Sequence, residues 1–169
     1  MTIAIRPETP ADHAAIYDIT KRAFAPMPYS DGDEQDLIDR LRNASALAIS
    51  LVAEQDGAVV GQVTFTEAFA ADGSDGWYAL GPVAVEPELQ SRKIGAQLIE
   101  AGIALLCERG AAGCVLVGNP AYYGRFGFKP FPELCPKGEP TESFQILPLG
   151  VAGPSAVISF HPLFHSDQQ

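Results

Sequence analysis

Apolar and polar residues change period several times along the chain, and each change marks an element. Thr2 to Arg6 alternates at a spacing of two and reads as a short strand. Thr9-Pro10-Ala11-Asp12 carries a helix-start signature, with Thr9 as cap, Pro10 at the first helical position and Asp12 at the positive end of the dipole. Ile16, Ile19 and Ala23 follow at helical spacing until Ala25-Pro26-Met27-Pro28 stops the helix. Asp33 to Arg42 is acidic at its start and carries Arg40 and Arg42 near its end, which predicts a second short helix.

The period then returns to two. Leu47, Ile49, Leu51 and Ala53 alternate with other residues, Asp56-Gly57 predicts a tight turn, and Ala58 to Thr66 resumes as a strand rich in Val and Thr. A polar loop, Ala71 to Gly76, leads into a strand over Trp77 to Val85. Ile94 to Arg109 is the most regular helical stretch, with Ile94, Leu98, Ala101 and Leu105 on one wide apolar face. Gly110 and Gly113 bracket its exit, Cys114 to Val117 reads as a short buried strand, and Tyr122 to Phe126 as a helical turn or two. Phe128 to Phe131 and Ala156 to Phe160 are expected to close the sheet, while Pro132 to Gly153 is rich in Pro and Gly and follows no period. The alternation of strands and helices predicts a mixed α/β architecture.

Composition narrows the function classes. The 169 residues suit a single domain spanning 1–169, and a 47% hydrophobic content can fill its core. Eleven Lys plus Arg against 21 Asp plus Glu give a net charge of −10, which disfavours nucleic acid and anionic membranes as partners. Arg6, Glu8 and Asp12 interrupt the start where an export signal needs an apolar run, and no stretch is apolar enough to span a membrane. Cys107, Cys114 and Cys135 are odd in number and lack a Cys-x-x-Cys spacing, so neither a disulfide framework nor a zinc site is expected and a reducing cytoplasm fits. Pro162 breaks the spacing of His161 and His165 as a helical metal pair, so that stretch reads as a solvated tail with no metal.

Candidate chemistry concentrates between Leu80 and Phe128. A strand ends at Val85, a short loop follows, and a long helix begins near Ile94. Backbone N–H groups from about Arg92 to Ala96 lack helical acceptors there and point out of the positive end of the dipole, which makes an anion site. Gly95 and Ala96 allow close approach to the backbone, and Arg92 and Lys93 reverse the acidic sign locally. The same residues also read as an ordinary connection with a solvated Arg-Lys pair, and spacing alone does not separate the two. Neither a Walker loop nor a Gly-x-Gly-x-x-Gly fingerprint is present.

Within the preceding strand, Pro82 cannot donate a ladder bond and Gly81 suits a bulge, so the strand is expected to be splayed or unpaired near Val83. Backbone groups there could pair with an amide-containing ligand, or the proline could simply protect an edge. Asn119-Pro-Ala-Tyr-Tyr-Gly-Arg-Phe-Gly-Phe128 follows the next strand and could present a tyrosine hydroxyl, although Tyr122 and Tyr123 could equally pack the core. Trp77, Phe65 and Phe69 could line a pocket, with core packing as the default for each.

These features, in this order, resemble the GNAT superfamily of acetyl-CoA-dependent N-acetyltransferases, and within it the YhbS-like branch. Gln90-Ser91-Arg92-Lys93-Ile94-Gly95 corresponds to the superfamily's pyrophosphate loop, with Gln90 and Gly95 matching and Lys93 standing where that loop carries its first glycine. The Tyr-x-x-x-Gly-Phe signature is intact as Tyr123, Gly127 and Phe128.

The resemblance implies an α/β (α+β) acyl-CoA N-acyltransferase fold. Its mixed, mostly antiparallel sheet would have about six to seven strands, flanked by about four helices, with a splayed central strand pair. It implies that Val83, Ala84 and Val85 pair with the pantetheine arm of acetyl-CoA. Gln90 and Ser91, with the Arg92, Lys93, Ile94, Gly95 and Ala96 amides, would hold the pyrophosphate, and Asn119 would reach the pantetheine or adenine side. Tyr123 would stand near the thioester sulfur as the catalytic acid, with a backbone N–H near Val83 stabilising the oxyanion as an amine attacks directly in a ternary complex.

The acceptor implied is a primary amine of a small molecule, peptide or protein. Glu67 is a candidate base that reads equally as a solvated strand-end carboxylate. A non-catalytic acyl-CoA-binding module is the alternative, and the net charge argues against a tRNA-acetylating toxin. Oligomeric state stays open, a homodimer included.

Overall fold

The computed structural model describes residues 2–165. In chain order the elements are β1 (Ile3–Pro7), α1 (His13–Phe24), α2 (Glu34–Asn43), β2 (Leu47–Gln55), β3 (Ala58–Glu67), β4 (Phe69–Ala70), β5 (Trp77–Val85), α3 (Ile94–Glu108), β6 (Gly113–Val117), α4 (Pro120–Tyr123), β7 (Lys129–Pro130), β8 (Phe144–Pro148) and β9 (Ile158–Ser159). Seven strands form one sheet in the order β1-β2-β3-β5-β6-β8-β7, and β4 and β9 form a separate two-stranded sheet. Pairing is antiparallel for β1 with β2, β6 with β8 and β7 with β8, and parallel for β5 with β6. The parallel register joins Trp77, Tyr78 and Ala79 to Gly113, Cys114 and Val115, whereas β5 itself continues to Val85. The chain divides into two compact units, one comprising residues up to Phe65 with Gly81–Ile103, the other Thr66–Leu80 with the residues from Ala104 onward.

In the first unit, helices cover both faces of the strands. Ile16 of α1, Ile38 of α2 and Val52 of β2 form one buried cluster, and Ile19 and Ala23 of α1 pack with Ala84 of β5. The opposite face meets α3, where Gly61 lies so close that a Cβ there would be 3.1 Å from Leu98 Cδ1. Gly102 admits the Phe65 ring, since a Cβ at Gly102 would fall 2.2 Å from Phe65 Cε1. Asp56 (φ 52°) and Gly57 (φ 82°) are both left-handed, the geometry that a two-residue hairpin turn between twisted strands requires.

Entry into α1 is set by Asp12, which is buried. Its carboxylate accepts from the Thr9 N–H at 2.7 Å and from both terminal nitrogens of Arg6 at 2.8 and 3.0 Å. A 3-10 turn, Pro10–Asp12, therefore precedes the α-helix proper.

The second unit is built on an apolar cluster of Trp77, Ala79, Val115, Phe144, Ile146 and Ile158. Gly113 lies under the Trp77 ring, where a Cβ would be 2.4 Å from Cζ3. One sequence expectation is corrected here, and one unassigned segment gains a strand. Ala156 to Phe160 does not close the main sheet; only Ile158 and Ser159 are extended, and they pair with Phe69 and Ala70. The segment without a period, Pro132 to Gly153, contains β8, which pairs with β6 on one side and β7 on the other. Its four buried residues, Phe144 to Leu147, include Gln145, whose amide donates to the Gly118 carbonyl at 3.0 Å, so a polar residue interrupts the apolar run without being exposed. Of the stretch expected to be a solvated tail, His161 departs from that reading, half-buried with its ring 6.1 Å from that of Phe69, whereas His165 is exposed, with Nε2 3.2 Å from a Glu139 carboxylate oxygen. No helix among the described residues is long and apolar enough to cross a membrane.

The Arg6 guanidinium holds the Asp12 carboxyl down at about 2. A carboxyl whose folded value lies below its unfolded value of roughly 3.9 stabilises the fold above that value and loses the contribution as pH falls. Urea titrations are expected to show stability declining from about pH 4 toward pH 2, with the decline shallower in Asp12→Asn.

Candidate functional site

The last residues of β5 set the geometry of the first unit's candidate site. In a strand the N–H and C=O of one residue point to the same edge, and successive residues alternate edges. The Pro82 carbonyl accepts from Thr64 Oγ1 of β3 at 3.0 Å. The Ala84 carbonyl lies 3.3 Å from where a Gly61 Cβ would sit, and the Glu86 N–H donates to the Val60 carbonyl at 2.8 Å. Pro82, Ala84 and Glu86 thus all turn toward β3. By alternation Val83 and Val85 turn their backbone groups to the other edge of β5. Of the three strand residues singled out in the sequence, Val83 and Val85 face outward, the Val85 carbonyl already accepting from Gln90, while Ala84 has its side chain buried and its carbonyl toward β3. Gly81 (φ 130°) supplies the bend before Pro82 that a side-chain-bearing residue would resist.

Beyond β5, Pro87–Leu89 forms a 3-10 turn and the chain enters α3 through Gln90 to Lys93. The Gln90 side chain donates to the Val85 carbonyl at 3.2 Å, tying the loop back to the strand end. Gln90 therefore shapes the loop through its own amide. Arg22 near the end of α1 forks onto Glu86 at 2.8 and 2.9 Å and anchors the other side of the turn. Ser91 and Lys93 both have φ 68°, in the left-handed region. Lys93 thus adopts, with a full side chain, the conformation for which a glycine is suited.

The Gln97 N–H donates to the Lys93 carbonyl at 3.0 Å, so Lys93 is the last residue before the helical ladder. The amides of Ile94, Gly95 and Ala96 then head a 15-residue helix at its positive end. Ser91, Arg92 and Lys93 are exposed, Ile94 is buried as an anchor, and Gly95 and Ala96 are partly exposed. This strand end, turn and helix start can bind an extended amide along β5 and an anion at α3.

In the second unit, Asn119 caps α4, its side chain accepting from the Ala121 N–H at 2.9 Å. The Tyr123 N–H donates to the Asn119 carbonyl at 3.0 Å, so the cap sets the orientation of the turn that carries Tyr123. The half-buried Tyr123 ring packs edge-on against Tyr122 and Phe128, with centroids 5.0 and 6.0 Å away. Beneath it lies Gly118, where a Cβ would approach Tyr123 Cε2 to 2.6 Å. Gly127 (φ 98°) ends the turn and directs Phe128 into the core.

Tyr123 is thus fixed by ring packing over a glycine, a support that no motif signals. Glu67 ends β3 and is exposed. Trp77 and Phe65 are buried core residues, and Phe69 is exposed. Cys107, Cys114 and Cys135 are free thiols, and burial pushes the Cys114 thiol well up from its ordinary value. No group of three or more His, Cys, Asp or Glu among the described residues could hold a metal ion.

Fold and motifs together define an acyltransferase of the GNAT class. Residues 13–128 match the model of the acetyltransferase (GNAT) family, and the chain belongs to that family. It is 34% identical over 126 residues to the uncharacterized N-acetyltransferase YhbS of Escherichia coli K12, covering 74% of this chain and 72% of the relative. A GNAT family acetyltransferase from Brucella melitensis, solved in complex with acetyl-CoA, is 42% identical with a TM-score of 0.85, over 96% of this chain and 98% of that one. The structure of Escherichia coli YhbS in complex with CoA is 29% identical with a TM-score of 0.86, over 96% and 92% of the two chains.

A left-handed residue with a side chain costs roughly 1–2 kcal/mol, and introducing glycine returns about 0.5–1 kcal/mol of that as chain entropy. Lys93→Gly is therefore expected to leave the melting temperature unchanged or raise it slightly. Lys93→Val, β-branched at φ 68°, is expected to lower it, as thermal denaturation would show.

Proposed function

We propose that this protein transfers the acetyl group of acetyl-CoA to a primary amine. The observation that carries the reading is the turning of Val83 and Val85 away from β3, followed by a turn in which Ser91 and Lys93 are left-handed and the first amides of α3 have no helical acceptor. The first arrangement suits the amide-bearing pantetheine arm and the second suits a pyrophosphate. The complexes of the Brucella melitensis acetyltransferase with acetyl-CoA and of YhbS with CoA support the same ligand here.

In this reading the Val83 and Val85 backbone pairs with pantetheine, and the Arg92 to Ala96 amides take the pyrophosphate with Lys93 adding charge. Asn119, through its cap, sets the turn that carries Tyr123. A neutral amine attacks the thioester carbonyl, the Val83 N–H donates to the oxyanion, the amine nitrogen gives up its proton to water, and the C–S bond breaks to release the CoA thiolate. Tyr123 donates a hydrogen bond or its proton to the departing thiolate. A phenol near 10 and a thiol near 8.5 make complete transfer uphill by roughly 2 kcal/mol in water, so stabilising the thiolate by hydrogen bonding is the larger part of that role.

Calorimetry with CoA at near-physiological ionic strength tests the ligand, and thiol release from acetyl-CoA across a panel of primary amines tests the reaction. Absence of CoA binding overturns the proposal; binding without transfer to any amine leaves an acyl-CoA-binding module. Tyr123→Phe is expected to lower kcat by about 10- to 100-fold while the Kd for CoA changes less than threefold, within the range of a general-acid contribution. Equal losses in both would assign Tyr123 to packing.

A further inference from the structure

Inside the first unit, β3 places Gln62 and Thr64 on the face covered by α1, and both are 0% exposed, as is Thr20 of α1. Their side chains form one connected network. Thr64 Oγ1 donates to the Pro82 carbonyl at 3.0 Å, and Gln62 Nε2 approaches the same carbonyl at 3.4 Å and Thr20 Oγ1 at 3.3 Å. Thr20 Oγ1 donates its own proton to the Ile16 carbonyl at 2.7 Å, so it accepts from Gln62. That fixes the sense of the Gln62 amide, whose nitrogen meets two acceptors.

The arrangement is costly as a core. Gln62 Oε1 is buried with no partner among the described residues, and an unsatisfied buried acceptor costs on the order of 1–3 kcal/mol. The network converges on one atom, the Pro82 oxygen.

We propose that Thr64, with Gln62 behind it, is a positioning residue for the Val83 N–H. The Pro82 carbonyl and the Val83 N–H belong to one peptide group. That bond is trans and planar, so the two groups point in opposite directions. Fixing the oxygen toward Thr64 aims the N–H to the opposite edge of β5. Hydrogen bonding to the oxygen also draws charge across the amide and makes the N–H a stronger donor, as chains of hydrogen bonds do in a low-dielectric interior. A donor that is held in place and polarised before the reaction stabilises an oxyanion without reorganising. The inference rests on the proposed acetyl transfer, in which the Val83 N–H meets the oxyanion.

The test uses Thr64→Val, which removes the hydroxyl at nearly constant shape, and Thr64→Ser, which keeps it. In the ligand-free protein, Thr64→Val is expected to shift the Val83 amide resonance in a nitrogen–proton correlation spectrum, with Thr64→Ser close to wild type. This readout needs no activity. With acetyl-CoA and the amine giving the fastest thiol release, Thr64→Val is expected to lower kcat about 10-fold, short of the 10²–10³-fold loss from deleting an oxyanion donor outright. The Kd for CoA should move less than threefold, and Thr64→Ser should restore kcat to within threefold. Gln62→Met, which removes the weaker bond, should lower kcat by a smaller factor in the same direction and serves if Thr64→Val does not fold.

An unmoved Val83 resonance, or an unchanged kcat in Thr64→Val or Gln62→Met, overturns the proposal. So does a kcat loss in Thr64→Ser equal to that in Thr64→Val. If wild-type protein binds no CoA, the acetyl-transfer reading itself has failed, whatever the Val83 resonance does.

Discussion

The edge that β5 turns outward depends on how one carbonyl is held. Pro82 has no N–H to give the ladder, so its oxygen is the polar group of that residue which must be satisfied as the strand passes it. Thr64 satisfies it from β3. With Pro82, Ala84 and Glu86 committed toward β3, the alternation of a strand leaves Val83 and Val85 facing away. The parallel register with β6 takes in Trp77 to Ala79, and the outward-facing residues lie past it, where ladder groups are offered to another partner. A ligand carrying amides can use that row as an added strand would.

The anion end of the site rests on a second constraint, the tight turn from β5 into α3. Two side-chain bonds brace it, Gln90 to the Val85 carbonyl and Arg22 to Glu86. The ion pair is exposed and contributes little stability by itself, but it fixes where the turn leaves the strand. Within the turn, Ser91 and Lys93 take left-handed conformations. Lys93 does not distort the loop away from a glycine-like shape; it bears the backbone cost and brings an ammonium to the helix start. On a chain with a net charge of −10, a cation at this position locally reverses the sign of the surrounding field.

The second unit solves a different problem, that of orienting one phenol. The short turn bearing Tyr123 is too small to be stable as an isolated helix. It is held at its start by the Asn119 cap, at its end by left-handed Gly127, and along its flank by the rings of Tyr122, Phe126 and Phe128. Gly118 completes the support by leaving room for the ring edge. Each device is local, so the turn and the strand before it carry their own specification.

Much of this was legible in the chain. Caps, breakers and periods place α2, β2, β3 and α3 within a residue or two, and α1 once its leading 3-10 turn is counted with it, because those signals act over one turn or one hairpin. Asp56-Gly57 announces its turn for the same reason. The loop from Gln90 to Gly95 and the Tyr123 signature were readable as resemblance. Pairing partners were not readable. Whether Ile158 meets β4 or the main sheet, and whether Phe144 to Pro148 is a strand within it, depends on residues far apart in sequence. Nothing in the strand pattern of Ala58 to Thr66 marks Gln62 and Thr64; only the packing of α1 over them makes that row interior and turns it onto the Pro82 oxygen. Local chemistry selects elements and turns, whereas burial and the partner of each buried polar atom are properties of the assembled fold.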